Sequence, residues 1–334
     1  MNSATTWVWT STSSRSGGSA ERPGSHPPDR TVTADAGILL VTGATGFLGG
    51  HLVPWLQARG HRVRALVRDP ARARRLVACG AELHVGDITA PSTLASATAD
   101  VSAILHMAAI ADSSDPTLNR EVNVGGTEAM AAAALSAGVT RFVNISTTCA
   151  GRTLRDAYGD TKLQAEAALD GTSLRVTHLR PTMIYGPGSK EWDLFTRVVR
   201  LLPAVPIPGT GRSLLRPVYV QDMLDLIGRV LDNDAAVGRT YDVAGPAPIA
   251  VAELVELVGR AQGVRRRALA FPAGPAIFAA RVLGRLTERP VMNVDQVMAF
   301  LQDTVVDIQP ARAELGWDPR PLEEGLAELF GGTP

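Results

Sequence analysis

The fold of this chain is decided by one short stretch, Ile38-Leu39-Leu40-Val41-Thr42-Gly43-Ala44-Thr45-Gly46-Phe47-Leu48-Gly49-Gly50. Its first four residues are all apolar, which is typical of a parallel strand that is buried on both faces. Three glycines at intervals of three follow, and apolar residues at helical spacing continue to Leu56 before Gly60 ends the pattern. Residues 63–67 are predicted to form a second strand. The order strand, glycine turn, helix and strand predicts a βαβ unit.

The same alternation continues along the chain and predicts an α/β fold. Further elements are predicted at residues 83–85, 103–106, 142–146 and 176–179 (strands) and at residues 126–137 and 157–169 (helices). Strands and helices that alternate in this way form a Rossmann-type, doubly wound parallel sheet with helices on both faces. Beyond residue 181 prolines accumulate and the pattern loosens, which predicts a smaller C-terminal α/β substrate domain.

The chain is expected to divide accordingly. Residues 1–36 are rich in Ser, Thr, Gly and Pro and show no apolar period, so we expect a disordered leader. Residues 37–181 are predicted to form the dinucleotide-binding Rossmann domain, with a return segment near residues 218–245. Residues 182–217 and 246–334 are predicted to form the substrate-binding domain.

The composition disfavours several classes of function. Lys plus Arg and Asp plus Glu both number 33, so no basic field is expected to attract nucleic acid or an acidic membrane. The two cysteines, Cys79 and Cys149, lack metal-ligand spacing, which argues against a metal site or a disulfide framework and favours the reducing cytoplasm. No apolar run of about 18 residues occurs, so no membrane span is expected.

The glycine turn predicts a nucleotide site. Gly43 permits a tight turn, Gly46 lets the backbone approach a pyrophosphate, and Gly49 lets the helix pack closely against the strand. The helix N-terminus presents unpaired N–H groups and the positive end of its dipole to the phosphates. A glycine triplet alone is weak evidence, but its position between a buried strand and an amphipathic helix favours dinucleotide binding.

The end of the second strand indicates which dinucleotide is bound. NAD sites usually carry an acidic residue there, which holds the ribose 2′-hydroxyl. Val67 occupies that position in this chain, and Arg68 follows it. The forked donors of an arginine suit a 2′-phosphate. NADP is therefore favoured, while Asp69 keeps NAD open as the alternative.

Tyr158 and Lys162 form the predicted proton-handling pair. At a spacing of four residues near the start of a helix, the phenol and the ammonium lie on one face. A nearby cation stabilises a phenolate, so we expect the pKa of Tyr158 to be lowered toward the working range. The preceding strand ends in Ser146-Thr147-Thr148. A hydroxyl from this run would complete an acid–base site for hydride transfer.

With these motifs the chain resembles the extended short-chain dehydrogenase/reductase family, in the group of NAD-dependent epimerases and dehydratases. The matching motifs, in the order expected for the family, are Thr42-Gly43-Ala44-Thr45-Gly46-Phe47-Leu48-Gly49, Gly86-Asp87, His106-Met107-Ala108-Ala109, Asn123-Val124-Gly125-Gly126-Thr127, Tyr158-x-x-x-Lys162, Leu179-Arg180-Pro181-Thr182-Met183-Ile184-Tyr185-Gly186-Pro187-Gly188, Arg216-Pro217-Val218-Tyr219-Val220-Gln221-Asp222 and Leu315-Gly316-Trp317-x-Pro319. This series is specific for the family but not for a substrate.

The resemblance implies a set of site residues. Tyr158 would be the catalytic acid/base, Lys162 its partner, and Thr147 the residue that hydrogen-bonds the reacting oxygen. The implied cofactor-binding residues are Gly43, Thr45, Gly46, Phe47, Leu48, Gly49, Arg68, Asp87, Ile88, Ala108, Ala109, Tyr158, Lys162 and Pro181. Within this set, Asp87 and Ile88 would contact adenine, and both alanines would line the nicotinamide side. The resemblance also makes a homodimer plausible.

Two departures from the family pattern lie beside the site. Cys149-Ala150-Gly151 stands where the family usually has Val-Tyr-Gly, with one residue missing, so the choice among Ser146, Thr147 and Thr148 stays open. Sugar-nucleotide dehydratases carry an acidic pair after the threonine, where this chain has Thr148 and Cys149. Dehydration is therefore disfavoured.

The motifs and the composition are compatible with three functions. The leading one is an NADPH-using ketone reductase or alcohol dehydrogenase acting on a small-molecule substrate, which Arg68 favours. An NAD-dependent nucleotide-sugar epimerase would share the machinery, and the Pro208-Gly209-x-Gly211 loop with Arg212 and Arg216 is similar to a segment that grips the diphosphate in such enzymes. A non-catalytic dinucleotide-binding regulatory protein is disfavoured by the tyrosine–lysine pair.

Overall fold

The computed structural model describes residues 37–286, 297–298 and 300–331, apart from residues 112, 114, 153 and 154. The predicted disordered leader, residues 1–36, lies outside the described residues. Among those described, the strands are β1 (Ile38–Thr42), β2 (Val63–Val67), β3 (Glu82–Val85), β4 (Val101–His106), β5 (Arg141–Ile145), β6 (Arg175–Pro181), β7 (Ile184–Tyr185), β8 (Ala204–Pro208), β9 (Leu214–Leu215), β10 (Val218–Tyr219), β11 (Thr240–Val243), β12 (Ile249–Ala250) and β13 (Arg267–Phe271). The α-helices are α1 (Phe47–Ala58), α2 (Arg74–Ala78), α3 (Leu94–Ala97), α4 (Pro116–Arg120), α5 (Gly126–Ser136), α6 (Ala157–Asp170), α7 (Lys190–Leu201), α8 (Val220–Leu231), α9 (Val251–Ala261), α10 (Ala273–Leu286), α11 (Gln309–Leu315) and α12 (Leu322–Phe330).

Seven of the described strands form one sheet in which every neighbouring pair is parallel. Their order is β3-β2-β1-β4-β5-β6-β11. The chain therefore winds outward from β1 in one direction and then from β4 in the other, which is the topology of a doubly wound fold. The predicted Rossmann-type sheet is confirmed, and its last strand, β11, comes from residues within the expected return segment.

Both faces of this sheet are covered. Leu39 and Val41 of β1 pack on one side with residues of α1 and α8. Ile38 and Leu40 pack on the other side with residues of α3, α5 and α6. Because successive residues of the central strands point into two separate cores, these strands are continuously apolar instead of alternating. No helix among the described residues is both long enough and apolar enough to cross a bilayer.

The chain after β6 builds a third core. Its short strands pair as β7 with β10, β9 with β12 and β8 with β13. Trp192, Val255 and Leu326 are buried there together with two tyrosines of the paired strands. Phe47 and Leu48, at the start of α1, pack against this third core. The glycine turn that precedes α1 is therefore adjacent to the C-terminal part of the molecule.

The C-terminal segment contributes to more than one core. Ile308 and Leu315 are buried on the α1–α8 side of the large sheet, and so is Trp317. The Trp317 indole Nε1 donates to the carbonyl oxygen of Asp222 at 2.9 Å. Residues 308–317, which belong to the predicted substrate-binding domain, thus also complete the sheet's covering. The predicted domain boundaries stay a prediction.

Candidate active site

The predicted site residues gather at the carboxyl edge of the large sheet. They follow successive strands: Gly43, Thr45 and Gly46 after β1, Arg68 after β2, Asp87 and Ile88 after β3, Ala108 and Ala109 after β4, Thr147 after β5, and Pro181 at the end of β6. Tyr158 and Lys162 lie on α6. Ligands of open α/β sheets bind at this edge, where the direction of winding reverses. In this sheet the reversal falls between β1 and β4.

The turn between β1 and α1 leaves no room for a side chain at two positions. Gly43 has a φ of 68°, and a Cβ there would lie 2.8 Å from the backbone nitrogen of Ala108. A Cβ at Gly49 would lie 2.4 Å from the carbonyl oxygen of Gly43. Gly46 is the N-cap of α1 and provides no side-chain cap. The N-terminus of α1 is therefore available to an anion such as a pyrophosphate.

A chain of hydrogen bonds fixes the proton positions on His106. Burial, with the positive charge of Lys162 adding to it, lowers the pKa of His106 to about 3, so the ring is neutral. Thr127 Oγ1 donates to the carbonyl oxygen of Asn123 (2.7 Å) and therefore accepts from His106 Nε2 (3.1 Å). His106 Nδ1 is then left to accept from Thr42 Oγ1 (3.0 Å).

Thr42 extends this chain of hydrogen bonds to the backbone after β4. Its Oγ1 accepts from the N–H groups of Met107 and Ala108, both at 3.1 Å. The last residue of β1 thus holds the first residues of the loop on the predicted nicotinamide side. Ala108 is half-buried and Ala109 is exposed.

Arg68 extends from the end of β2 with its side chain 75% exposed. Its Nη1 lies 3.9 Å from Oδ2 of Asp87, at the end of β3. The arginine predicted to hold a 2′-phosphate and the carboxylate predicted on the adenine side are therefore neighbours. Asp69, the acidic alternative, caps the following turn, because its Oδ1 accepts from the N–H of Ala71 at 2.9 Å.

Ile88 lies inside the core and not along the cleft. Its side chain is buried, and a Cβ at Gly126 would lie 2.5 Å from its Cδ1. Any contact of Ile88 with a ligand must therefore come from its backbone. Phe47 and Leu48 are half-buried, because the third core covers part of each side chain.

Ser146, Thr147 and Thr148 follow β5 and are all buried. Thr147 Oγ1 accepts from the N–H of Cys149 at 3.2 Å, which leaves its own proton for another acceptor. Thr148 Oγ1 donates to the carbonyl oxygen of Pro181 at 3.4 Å. Ser146 Oγ has no hydrogen-bond partner among the described residues. The catalytic role of Thr147 stays a prediction, with Ser146 as the alternative that the hydrogen bonding favours over Thr148.

Tyr158 lies in the first turn of α6, which Asp156 caps by accepting from the N–H of Gly159 at 2.6 Å. The expectation of a lowered pKa is wrong. Burial raises the pKa of Tyr158 well above its ordinary value, and the neighbouring Cys149 thiol and Asp156 carboxylate act in the same direction. The phenol is therefore protonated at neutral pH, which is the form that donates a proton.

Lys162 lies one turn further along α6 and is among the most deeply buried side chains, with 1% exposure. Burial lowers the pKa of Lys162 to about 8, while the carboxylate of Glu166 acts in the opposite direction. The ammonium is thus charged below about pH 8 and loses its proton as the pH rises through that value. The site combines a protonated phenol with a lysine near its point of ionisation.

Sequence reasoning missed two residues that join α6 to the loops beside it. A Cβ at Gly159 would lie 2.9 Å from the carbonyl oxygen of Cys149, so the helix rests directly on the turn after β5. Asn123 accepts from the N–H of Ile110 at 2.8 Å and donates to Thr161 Oγ1 at 3.0 Å. Asn123 belongs to one of the matching motifs, whereas Gly159 carried no signal beyond its position after the tyrosine.

A third missed feature is the ion pair of Glu166 with Arg180. Glu166 accepts from Arg180 Nε at 3.0 Å and from Nη2 at 2.5 Å. Arg180 belongs to the motif around the end of β6, but no pattern in the sequence indicated its partner. This pair connects the helix that carries Tyr158 and Lys162 to the sheet.

The comparison with known families covers the greater part of the chain. The model of the NAD dependent epimerase/dehydratase family matches residues 39–244. This range begins in β1, contains the glycine turn and both α6 residues, and ends just after β11. It therefore includes every strand of the large sheet.

Individual relatives span nearly the same length as this chain. The UDP-glucose 4-epimerase of Vibrio cholerae is 30% identical over 87% of this chain and 93% of its own. The 3 beta-hydroxysteroid dehydrogenase/Delta 5-->4-isomerase of Mycobacterium tuberculosis is 30% identical over 87% of this chain and 88% of its own. Among solved structures, MoeE5 in complex with UDP-glucose and NAD matches with a TM-score of 0.69 and 25% identity, over 88% of this chain and 98% of that one.

Proposed function

The chain belongs to the NAD-dependent epimerase/dehydratase family and is an NAD(P)-dependent oxidoreductase or epimerase, and we propose that it works as an NADPH-using ketone reductase. Its relatives act on small molecules according to their names, and a small-molecule ketone is the proposed substrate here. The homodimer and the cytoplasmic location expected from the sequence remain part of the proposal.

The end of β2 carries the preference for NADPH. Arg68 holds an exposed guanidinium beside Asp87, where its forked donors suit a 2′-phosphate. Asp69, which would bind a 2′-hydroxyl if the cofactor were NAD, already accepts the N–H of Ala71 through Oδ1. The proposed preference for NADPH therefore depends on Arg68.

The glycine turn fits a dinucleotide. Atoms of the backbone lie within 3 Å of the Cβ that Gly43 or Gly49 lacks, so only glycine fits this tight turn and the start of the helix behind it, as the dinucleotide motif requires. The uncapped N-terminus of α1 supplies N–H donors for the same group. When bound, the reduced nicotinamide would supply the hydride for the carbonyl carbon.

The residues of α6 and of the β5 turn suit the proton half of a reduction. Tyr158 is protonated and would donate its proton to the ketone oxygen. Lys162 would stabilise the phenolate that this donation leaves. Thr147, whose Oγ1 already accepts from Cys149, has a proton free to hydrogen-bond the same oxygen.

Titration of the purified protein with NADPH and NADH, followed by nicotinamide fluorescence, tests the proposal. We expect tighter binding of NADPH, and we expect Arg68→Ala to weaken NADPH binding by about tenfold, which is typical of one lost charge-assisted contact. NADH binding should hardly change. Arg62→Ala is the matched control, since Arg62 is an exposed arginine that precedes β2 at the opposite edge of the sheet. Equal binding of both cofactors, or equal effects of the two substitutions, would contradict the proposal.

A nucleotide-sugar epimerase is the second candidate, because the Vibrio cholerae epimerase is as similar as the steroid dehydrogenase. The hydrogen bonds of Arg216, one of the two arginines expected to grip a diphosphate, weigh against it: Nη1 donates to the carbonyl oxygen of Val306 (2.8 Å) and Nη2 to that of Pro246 (2.9 Å). Arg212, the other arginine, is exposed. NAD that stays bound through purification, together with conversion of a UDP-sugar to its C4 epimer, would favour the epimerase.

A further inference from the structure

The buried carboxylate of Glu166 lies directly behind the catalytic face of α6. Its side chain is 4% exposed, and it comes one helical turn after Lys162, on the same side of the helix. A carboxylate at such a depth is costly unless it is paired and hydrogen-bonded. Arg180 of β6 meets that need with two donors to the two oxygens, at 3.0 and 2.5 Å.

Arg180 also contacts the turn that carries the candidate hydroxyls. A Cβ at Gly151 would lie 3.3 Å from Arg180 Nη1, so the guanidinium rests against the end of the turn after β5. The same guanidinium is thus bonded to α6 and packed against this turn. The pair orients the carboxylate and fixes the spacing between the two elements that carry Tyr158 and Thr147.

Few charged groups are in a position to compensate Lys162. His106, on β4, is neutral and supplies no charge. The charged side chains on the helices packed against α6, Arg120, Glu121 and Glu128, are exposed to solvent. On α6 itself Tyr158 is protonated, and the carboxylates of Asp160 and Asp170 are exposed to solvent. Glu166 is therefore the buried anion closest along the helix to the ammonium.

We propose that Glu166 is a positioning residue for the reaction: its carboxylate, oriented by Arg180, keeps the Lys162 ammonium charged beside Tyr158. The proposal rests on the role of Lys162 in the proposed reduction. Without the carboxylate, a deeply buried lysine would release its proton near neutral pH. The phenolate formed during turnover would then lack its counter-charge.

The sequence offers an unusually clean way to measure this charge. The chain contains two lysines, Lys162 and Lys190, and Lys190 is exposed at the start of α7. Labelling the full chain with ¹³C at the lysine ε-carbon gives two resonances, which Lys190→Arg assigns. Their shifts across pH 6–11 report the ionisation of each ammonium without substrate or cofactor.

We expect Glu166→Gln to lower the midpoint of the Lys162 titration by about one pH unit, because an opposite charge within a few ångströms shifts a pKa by about 1–3 units. Glu166→Asp should restore part of that shift. Lys190 should titrate unchanged in every variant. In a plot of kcat against pH, the basic limb should move to lower pH by the same amount as the Lys162 midpoint.

Two further variants separate this role from simple stabilisation. Glu82→Gln removes the partner of the buried Arg64 at the β2–β3 end of the sheet, and it should lower stability without moving the Lys162 midpoint. The double variant Glu166→Gln/Arg180→Met removes both charges and so leaves no unpaired buried arginine. It replaces the single variant in the Lys162 titration if Glu166→Gln fails to fold. An unmoved Lys162 midpoint in a folded Glu166 variant would overturn the proposal. If the Lys162 midpoint shifts but the protein does not prefer NADPH, only the proposed function is overturned.

Discussion

The two halves of the sheet's carboxyl edge hold their functional groups by different means. On the β1 side the structure is set by backbone contacts, and a Cβ at Gly49 would lie 2.4 Å from the carbonyl oxygen of Gly43. On the side of β4, β5 and β6 it is set by hydrogen bonds between side chains, such as those of His106 with Thr42 and Thr127. The first half is therefore sensitive to an added atom and the second to a lost one.

The sharpest test of this contrast is Tyr158→Phe, which removes one oxygen from the second half. We expect turnover to fall by about a thousand-fold, since a positioned acid contributes about 10²–10⁴ to the rate. Binding of NADPH should weaken far less than turnover, because the glycine turn and Arg68 are untouched. Steady-state kinetics on a ketone panel and fluorescence titration measure the two effects. A biological effect that survives the substitution would point to the non-catalytic binding protein.

The next test adds one carbon to the first half. In Gly49→Ala the new methyl group would meet backbone atoms that cannot move aside, so we expect a loss of about 1–3 kcal/mol in stability and weaker NADPH binding. Gly50→Ala is the matched control at the next residue, where a Cβ would have nothing within 4 Å. That substitution should stabilise α1 by about 0.5–1 kcal/mol. Urea unfolding followed by circular dichroism compares the two variants. Similar effects of Gly49→Ala and Gly50→Ala would contradict the idea that backbone contacts set the structure of the first half.

The last test is Thr127→Val, which deletes a hydroxyl from the His106 chain, keeps the shape and should leave NADPH binding unchanged. His106 Nε2 would then lose its acceptor, which costs about 1–3 kcal/mol for a buried group. The control is Thr98→Val, since Thr98 is equally buried but its hydroxyl donates to main-chain carbonyls. We expect Thr127→Val to be the more destabilising in urea titrations. Equal losses of stability would show that the hydrogen bond between His106 and Thr127 contributes no more than those of Thr98.

The same contrast explains which features the sequence could predict. The bounds of β2 were predicted to the residue, and the glycine turn was placed correctly, because both depend on neighbours in the chain. The position of Arg68 directly after β2 was likewise predicted correctly, while its role in binding the cofactor stays a prediction. Each of these follows from local rules for strands, turns and helix ends.

Features of the second half depend on pairs of residues distant in sequence. Nothing local indicated that Glu166 would bind Arg180, or that Thr42 would contact His106. The predicted pKa of Tyr158 failed for the same reason, since spacing gave the cation but not the burial or the nearby thiol of Cys149. Ion-pair partners and pKa values depend on tertiary contacts, which a single sequence does not reveal.

The position of Trp317 has a consequence for how this protein is made. Its ring completes the core on the α1–α8 side of a sheet that starts at Ile38, so the two ends of that core leave the ribosome far apart in time. At about 5–20 residues per second, roughly 15–60 seconds pass between them. The helix α8, residues 220–231, is synthesised closer to Trp317, so its apolar face lacks the indole cover for about 4–20 seconds of this interval. We therefore expect this face to be where a nascent-chain chaperone is most needed.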